Sequence, residues 1–254
     1  HESGFWQGVE RLFQFDLSRS LMHYDLVYAQ IAAFSPLRIP SLFSSGEGSV
    51  ALDGAEFSGF LITEFLEGQV IDESTVSVSM VQQLTAHVVC LHRVKQSRFG
   101  ALFNVEEVLG EQVRASTDWL HQLSGFLIEQ GEMQGLSGTA WFGDALSALE
   151  CIDEVSFSPI MLDLRWDQFL VNALGELSLP DLDAFVWGPR ALELVMIEYL
   201  LDAQQATIFK LAYEEALGCI DIDAVRPVYR MVLFLLNVMG EKEVDKWMSH
   251  PCRF

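Results

Sequence analysis

The stretch 160–185 constrains the fold of this chain more than any other, and it reads IMLDLRWDQFLVNALGELSLPDLDAF. The stretch contains three apolar runs with strand character, at 160–164, 169–172 and 177–179. A short, mainly polar segment at 165–168 separates the first two runs, and a Gly-Glu turn separates the last two. Runs of this kind, bounded by turn residues, are typical of β-strands. The stretch therefore predicts a hairpin that presents acidic residues at one edge.

Three aspartates accompany these predicted strands. Asp163 lies within the first apolar run, whereas Asp181 and Asp183 directly follow the third run and Pro180. An unpaired carboxylate inside an apolar core costs several kcal/mol or more, so such a group does not stay charged and alone. Asp163 is therefore predicted to be paired, protonated or functional.

The order of these residues resembles the catalytic core of the aminoglycoside phosphotransferase and choline kinase family, within the protein-kinase-like fold. That family carries H-G-D-x-x-x-x-N-I-L-V, a Gly-containing turn and then I-D-F-E. The resemblance places Asp163 at the catalytic Asp, Gln168 at the metal-binding Asn and Asp181 at the second, metal-binding Asp. Met161 stands where the family has His, so the two Asp positions fit the pattern and the His and Asn positions depart from it.

A second resemblance lies at 59–68, which reads GFLITEFLEG. It is similar to the strand and linker that join the two lobes in this family. The resemblance implies that backbone C=O and N–H groups of Glu64 and Leu66 face an adenine ring. The alternative is a buried strand that ends at Gly68.

The N-terminal residues show the largest departure from the family. Apolar residues at 12–17 predict a strand, and the resemblance places Gln14 at the Lys that holds the nucleotide phosphates. The chain has no Lys before Lys95, so no other alignment supplies one. Helical spacing at 20–34 predicts the next element, where Asp25 is nearest to the family's Glu, although a solvated helix residue is an equal alternative.

The remaining segments complete a two-lobed architecture. Gly46–Ser49 is predicted to be a hairpin tip, and helical periodicity recurs at 81–91, 113–130, 141–152, 191–201, 207–217 and 225–239. The fold class is therefore α+β, a two-lobed protein-kinase-like fold. A small mixed N-terminal lobe at 1–68 includes the linker, and a mainly helical C-terminal lobe at 69–254 carries the hairpin 160–185.

Composition limits the partners of the chain. Its 254 residues carry a formal charge of −21, which repels nucleic acid and anionic membranes. The charge is interpreted either as a source of solubility or as an acidic cleft that attracts a cationic substrate. No apolar run approaches the roughly 20 residues of a membrane span, and the first residues do not resemble a signal peptide. Four scattered cysteines are typical of buried, reduced thiols in a cytoplasmic protein, and nothing indicates the oligomeric state.

The resemblance implies an ATP-dependent phosphotransferase that acts on a hydroxyl of a small molecule, with ATP and Mg²⁺ as cofactors. Asp163 is then the base that orients or deprotonates the hydroxyl. Asp181 ligates Mg²⁺ with help from the amide oxygen of Gln168, while Asp183 adds a carboxylate or caps the next segment. Arg165 supplies positive charge in the same loop.

Two other interpretations remain open. In the first, the chain is a kinase-fold pseudoenzyme that binds a nucleotide or a partner protein, which Gln14, Met161 and Gln168 favour. In the second, Asp163 and Asp181 are salt-bridged structural groups, because ion-pair networks also perturb carboxylates.

Overall fold

Helices predominate in the described part of the chain, and six of its eight strands have only two to four residues. The computed structural model describes residues 4–14, 20–52, 55–103, 117–153 and 156–254. The helices are α1 (Gly4–Phe13), α2 (Tyr24–Phe34), α3 (Val78–Arg93), α4 (Thr117–Met133), α5 (Ala140–Ala148), α6 (Arg190–Leu200), α7 (Ala203–Leu217), α8 (Arg226–Leu236) and α9 (Val244–Met248). The strands are β1 (Leu42–Leu52), β2 (Ala55–Thr63), β3 (Gln69–Val70), β4 (Gly100–Ala101), β5 (Ser158–Met161), β6 (Leu170–Val171), β7 (Leu177–Ser178) and β8 (Phe185–Gly188).

The strands form three small antiparallel sheets in the described part of the chain. β1 pairs with β2, the second sheet has the order β3-β6-β7, and the third has the order β4-β8-β5. The predicted hairpin is thus correct for β6 and β7, but β5 is not its third strand. β5 pairs with β8, and all residues of both strands are buried. A 3₁₀-helix at Trp166–Gln168 separates β5 from β6 along the chain. The partner of β5 is instead the apolar run Phe185–Gly188, which forms β8.

The strand predicted at 12–17 is wrong where the structure describes it. Residues 4–13 form α1, and its buried residues Trp6, Val9, Leu12 and Phe13 recur at the spacing of a helix. This stripe packs against α4 and α8. Residues 15–17 lie outside the described residues. The apolar residues Leu12, Phe13 and Phe15 cover too few positions to distinguish a strand from the end of an amphipathic helix.

The elements between α1 and α3 match the prediction more closely. A 3₁₀-turn at Leu21–His23 leads into α2, and strand β2 ends in an irregular linker at 64–68. The predicted hairpin tip at Gly46–Ser49 is wrong, since β1 continues to Leu52, which pairs with Ala55. The lobe boundary at residue 68 stays a prediction.

Helix α8 lies at the centre of the helical part. It packs against α1, α4, α5, α6 and α9, and nearly all its residues are buried. Polar side chains start and end several helices: Ser77 caps α3, Asp202 caps α7, and Asn237 ends α8 in the left-handed conformation. The helices predicted from residue 81 onward are confirmed within a few residues, except that 113–116 lie outside the described residues.

The buried acid Glu198 links the C-terminal residues to this core by hydrogen bonds. Glu198 on α6 accepts hydrogen bonds from the guanidinium groups of Arg226 and Arg230 and from the backbone N–H of Arg253. The cysteines are all free thiols, as predicted. The prediction that they are buried is wrong for Cys151, Cys219 and Cys252, which are exposed. No helix in the described part of the chain is long and apolar enough to cross a membrane.

Candidate active site

Asp163 lies in the turn that follows β5, with both carboxylate oxygens occupied. Its Oδ1 accepts a hydrogen bond of 2.5 Å from Nη1 of Arg165, and its Oδ2 accepts one of 3.0 Å from Nε2 of Gln168. The Nε of Arg165 also binds Oδ1 of Asp167 at 2.9 Å. Asp163 is therefore paired, as one of the alternatives predicted, and Arg165 and Gln168 lie beside it as the sequence pattern indicated.

The surroundings of Asp163 raise its pKa to about 6. Partial burial is the main cause because it disfavours the charged form, and the positive charge of Arg165 opposes it. Asp167 and Asp181 raise the pKa further because they add negative charge nearby. A carboxylate with a pKa near 6 is mostly ionised at neutral pH and remains able to accept a proton.

Asp181 and Asp183 lie together in the segment between β7 and β8. The backbone N–H of Asp183 donates to Oδ1 of Asp181 at 3.2 Å. Burial raises the pKa of Asp183 to about 8, and the charges of Asp181 and Asp163 add to that shift. The structure thus brings the three predicted acids into one electrostatic neighbourhood.

Two tyrosines of α2 pack against this acidic segment. The hydroxyl of Tyr24 donates a hydrogen bond of 3.0 Å to the backbone oxygen of Asp183. Burial raises the pKa of Tyr24 well above its usual value and that of Tyr28 to about 12, with further contributions from Asp181 and Asp183. From the sequence, these tyrosines are simply part of the helical pattern at 20–34. Their i, i+4 spacing was the signal that both face the same partner.

Buried polar groups that the sequence does not indicate hold the strand end that precedes the turn of Asp163. The backbone N–H of Met161 donates to Oε1 of Glu193 at 2.7 Å. Oε2 of Glu193 lies 2.8 Å from Nε2 of His92, whose Nδ1 is 2.8 Å from the hydroxyl of Tyr213. The sequence gives no sign of this contact, because Glu193 is 32 residues away from Met161.

Gln14 does not occupy a cleft-facing strand. It follows the end of α1 with a positive φ of 57°, and its side-chain amide donates to Oε1 of Gln122 on α4. Gln122 in turn donates to the backbone oxygen of Arg11 at 2.6 Å. The prediction that Gln14 faces the nucleotide phosphates from a strand is therefore wrong, because α1 packs on α4 and α8 as a helix.

Asp25 and the linker residues lie on elements of the predicted kind. Asp25 is exposed in the first turn of α2, as its solvated alternative predicted. The backbone N–H of Glu64 donates to Ser41 at 2.8 Å, while the Glu64 side chain binds Arg38. Within the described ranges, no backbone hydrogen bond uses the carbonyl oxygen of Glu64 or the N–H of Leu66.

Solved structures of other proteins have a similar fold. Macrolide 2'-phosphotransferase MphH from Brachybacterium faecium superposes with a TM-score of 0.55 at 16% identity, over 92% of this chain and 81% of that one. The GDP and kanamycin complex of APH(2")-IIia gives 0.53 at 17% identity, over 93% and 75% of the two chains. ADP-bound aminoglycoside phosphotransferase APH(2'')-Ib gives 0.53 at 10% identity, over 88% and 79%.

The chain has the fold of these phosphotransferases. The predicted fold class, α+β and protein-kinase-like, is confirmed, and the structural neighbours include the aminoglycoside phosphotransferases that the sequence resembles. By sequence, the chain matches no family model and no curated protein. The likeness therefore rests on three-dimensional arrangement.

The acids of this site could hold a metal ion only together with ligands from outside the chain. Among the described residues, no group of three or more His, Cys, Asp or Glu side chains is arranged to hold a metal by itself. Protein sites for Mg²⁺ commonly provide only one or two carboxylates, and substrate phosphates and water complete the octahedron. Asp181 and Asp183 meet that smaller requirement. Gln168 directs its amide nitrogen to Asp163, which leaves its oxygen as a further ligand.

Proposed function

We propose that this chain is a nucleotide-dependent phosphotransferase that phosphorylates a hydroxyl of a small molecule. The observation that carries the proposal is the placement of Asp163. Its carboxylate is held by Arg165 and Gln168 and lies within the electrostatic reach of Asp181. In a fold of this class, such a carboxylate is suited to accept the proton of an attacking hydroxyl.

Asp163 would orient the hydroxyl and accept its proton as the oxygen attacks the terminal phosphorus of the nucleotide. Its pKa of about 6 leaves it largely ionised at pH 7. Arg165, which already contacts Asp163, brings a positive charge to the place where the transferred phosphoryl group carries negative charge. The role of Arg165 is electrostatic, because a guanidinium does not deprotonate in a protein.

Asp181 and Asp183, with the amide oxygen of Gln168, would hold Mg²⁺, which neutralises charge on the nucleotide phosphates. The carbonyl oxygen of Glu64 and the N–H of Leu66 would bind the adenine ring of ATP, since both groups lack a backbone partner among the described residues. Gln14 and Asp25 have no part in the proposal, because one binds Gln122 and the other is exposed.

The acceptor is proposed to be a small polar molecule that carries positive charge. The chain has a formal charge of −21, and three aspartates of the site interact electrostatically, with Arg165 paired to Asp163. A cation is attracted to such a region, and its rate of association rises with the field. Kanamycin, which is bound in one of the similar structures, is the first candidate class to test.

The test is Asp163→Asn in an ATP-consumption assay with aminoglycosides, macrolides, amino alcohols and sugars. The variant keeps the size of the side chain and removes the base, so turnover should fall by about 10²–10⁴-fold while MgATP affinity stays the same. Asp144→Asn, an exposed position on α5, is the matched control and should retain full turnover. Undiminished activity in Asp163→Asn would remove Asp163 from the mechanism.

A second candidate function is that of a pseudoenzyme that binds a nucleotide or a partner protein without phosphoryl transfer. It is favoured by α1, which is a helix at the position where the phosphate-holding strand was predicted. No turnover with any acceptor, together with ATP binding that survives Asp163→Asn, would support this candidate over the first.

A further inference from the structure

The segment that carries Asp181 is fixed at both of its ends by residues from the N-terminal part of the chain. At one end, the backbone N–H of Leu179 donates to the backbone oxygen of Arg38 at 3.0 Å. At the other end, the hydroxyl of Tyr24 donates to the backbone oxygen of Asp183 at 3.0 Å. Arg38 follows α2 and Tyr24 begins it, so both contacts depend on where α2 lies.

Tyr24 makes this contact from a buried position, since only 3% of its surface is exposed. Beyond that hydrogen bond, its phenol interacts electrostatically with Asp183, Asp181 and Tyr28. A cationic side chain at this place would pair with the carboxylates and compete with a bound cation. A neutral hydroxyl that donates to the main chain holds the segment and occupies no carboxylate oxygen of Asp181 or Asp183.

We propose that Tyr24 is a positioning residue of the site, because its hydroxyl fixes the segment 179–183 and so couples the placement of Asp181 to α2. The inference rests on the proposed function, since it assigns Asp181 to the phosphate-bound cation. The acid in the first turn of α2, Asp25, is exposed to solvent. From the same turn, the hydroxyl of Tyr24 reaches the acidic segment and donates to it.

The test compares Tyr24→Phe with Tyr199→Phe. Tyr199 is a matched control because its hydroxyl also donates to a backbone oxygen, that of Trp247 at 2.8 Å, at a place outside the proposed site. Both changes keep the ring and remove one hydrogen bond. Hydrogen exchange is measured over residues 179–185, and ATP affinity is measured by calorimetry with and without Mg²⁺.

Tyr24→Phe should accelerate exchange over 179–185 about fivefold, the effect of losing one ordinary hydrogen bond. It should weaken ATP binding about fivefold with Mg²⁺ and leave binding without Mg²⁺ unchanged. Tyr199→Phe should leave both quantities unchanged. Equal exchange in Tyr24→Phe and the wild type, or equal effects in both variants, would overturn the positioning role.

The two proposals fail separately. A wild-type protein without turnover or ATP binding overturns the proposed function, and the exchange measurement still decides whether Tyr24 fixes the segment. An active wild type whose Mg²⁺-dependent affinity and exchange are unaffected by Tyr24→Phe overturns the positioning role and leaves the proposed function standing.

Discussion

The backbone N–H of Met161 donates a 2.7 Å hydrogen bond to the carboxylate of Glu193, so a buried acid on α6 holds the strand end that precedes Asp163. Nε2 of His92 lies 2.8 Å from the other carboxylate oxygen of Glu193, and both side chains are almost fully buried. The anchor uses the main chain of residue 161. Methionine in the place of the family's histidine is therefore compatible with a firmly held turn at Asp163.

Replacing Glu193 tests this anchor. Glu193→Ala leaves the N–H of Met161 and the ring of His92 without their partner in the core, so we expect the free energy of unfolding to fall by about 3–5 kcal/mol. Urea denaturation at pH 7 measures the change. Glu215→Ala, on the exposed side of α7, is the control and should leave stability unchanged. Similar losses in both variants would show that Glu193 is not an anchor.

The sequence predicts the elements of the site better than the contacts between them. The 160–185 stretch identified Asp163, Gln168 and Asp181 because they follow one another at fixed spacing along one local segment. Tyr24 and Glu193 act on that segment from far away in sequence, so their roles depend on tertiary packing. The N-terminal error at α1 has a related cause: its apolar residues face α4 and α8, and a short window does not distinguish that stripe from a strand.

His87 makes stability depend on acid pH. It is buried on α3, its Nδ1 lies 2.7 Å from the hydroxyl of Ser35, and its ring edge meets Phe185. Burial lowers its pKa to about 3, and nearby His92 adds to the shift. In the unfolded chain a histidine takes up a proton near pH 6.5, whereas folded His87 does so only near pH 3. Its contribution is therefore complete above pH 6.5 and is lost as pH falls toward 3.

We expect His87 to contribute a slope of up to about 1.4 kcal/mol per pH unit to the free energy of unfolding between pH 6 and pH 4. Urea denaturation at several pH values measures the slope. His87→Gln should flatten it, while His121→Gln, exposed on α4, should retain it. If the curves of His87→Gln and the wild type stay parallel, His87 is not the source.

The pKa of Asp163 sets the acid limb of turnover under the proposed function. Because the base must be ionised, kcat/KM should rise about tenfold per unit below pH 6 and level off above it. Arg165 lowers this pKa, so Arg165→Met should move the limb to higher pH, and Arg165→Lys should move it less because the charge is kept. The quantity measured is the pH at which kcat/KM reaches half of its plateau, and not the plateau rate itself. A limb that stays in place in Arg165→Met would contradict the assignment.

Gln14→Lys tests whether residue 14 lies beside the nucleotide phosphates, as the family pattern predicts, or against α4, as in the structure. The family pattern predicts that a lysine here restores a phosphate contact and tightens ATP binding at least tenfold. The structure predicts unchanged affinity, because residue 14 follows a helix and its side chain binds Gln122 on α4. Calorimetric titration of Gln14→Lys, with Gln14→Ala as the control, measures the difference. Both variants should also lose about 1 kcal/mol of stability, because each removes the hydrogen bond to Gln122. Tighter ATP binding in the lysine variant alone would show that residue 14 reaches the nucleotide.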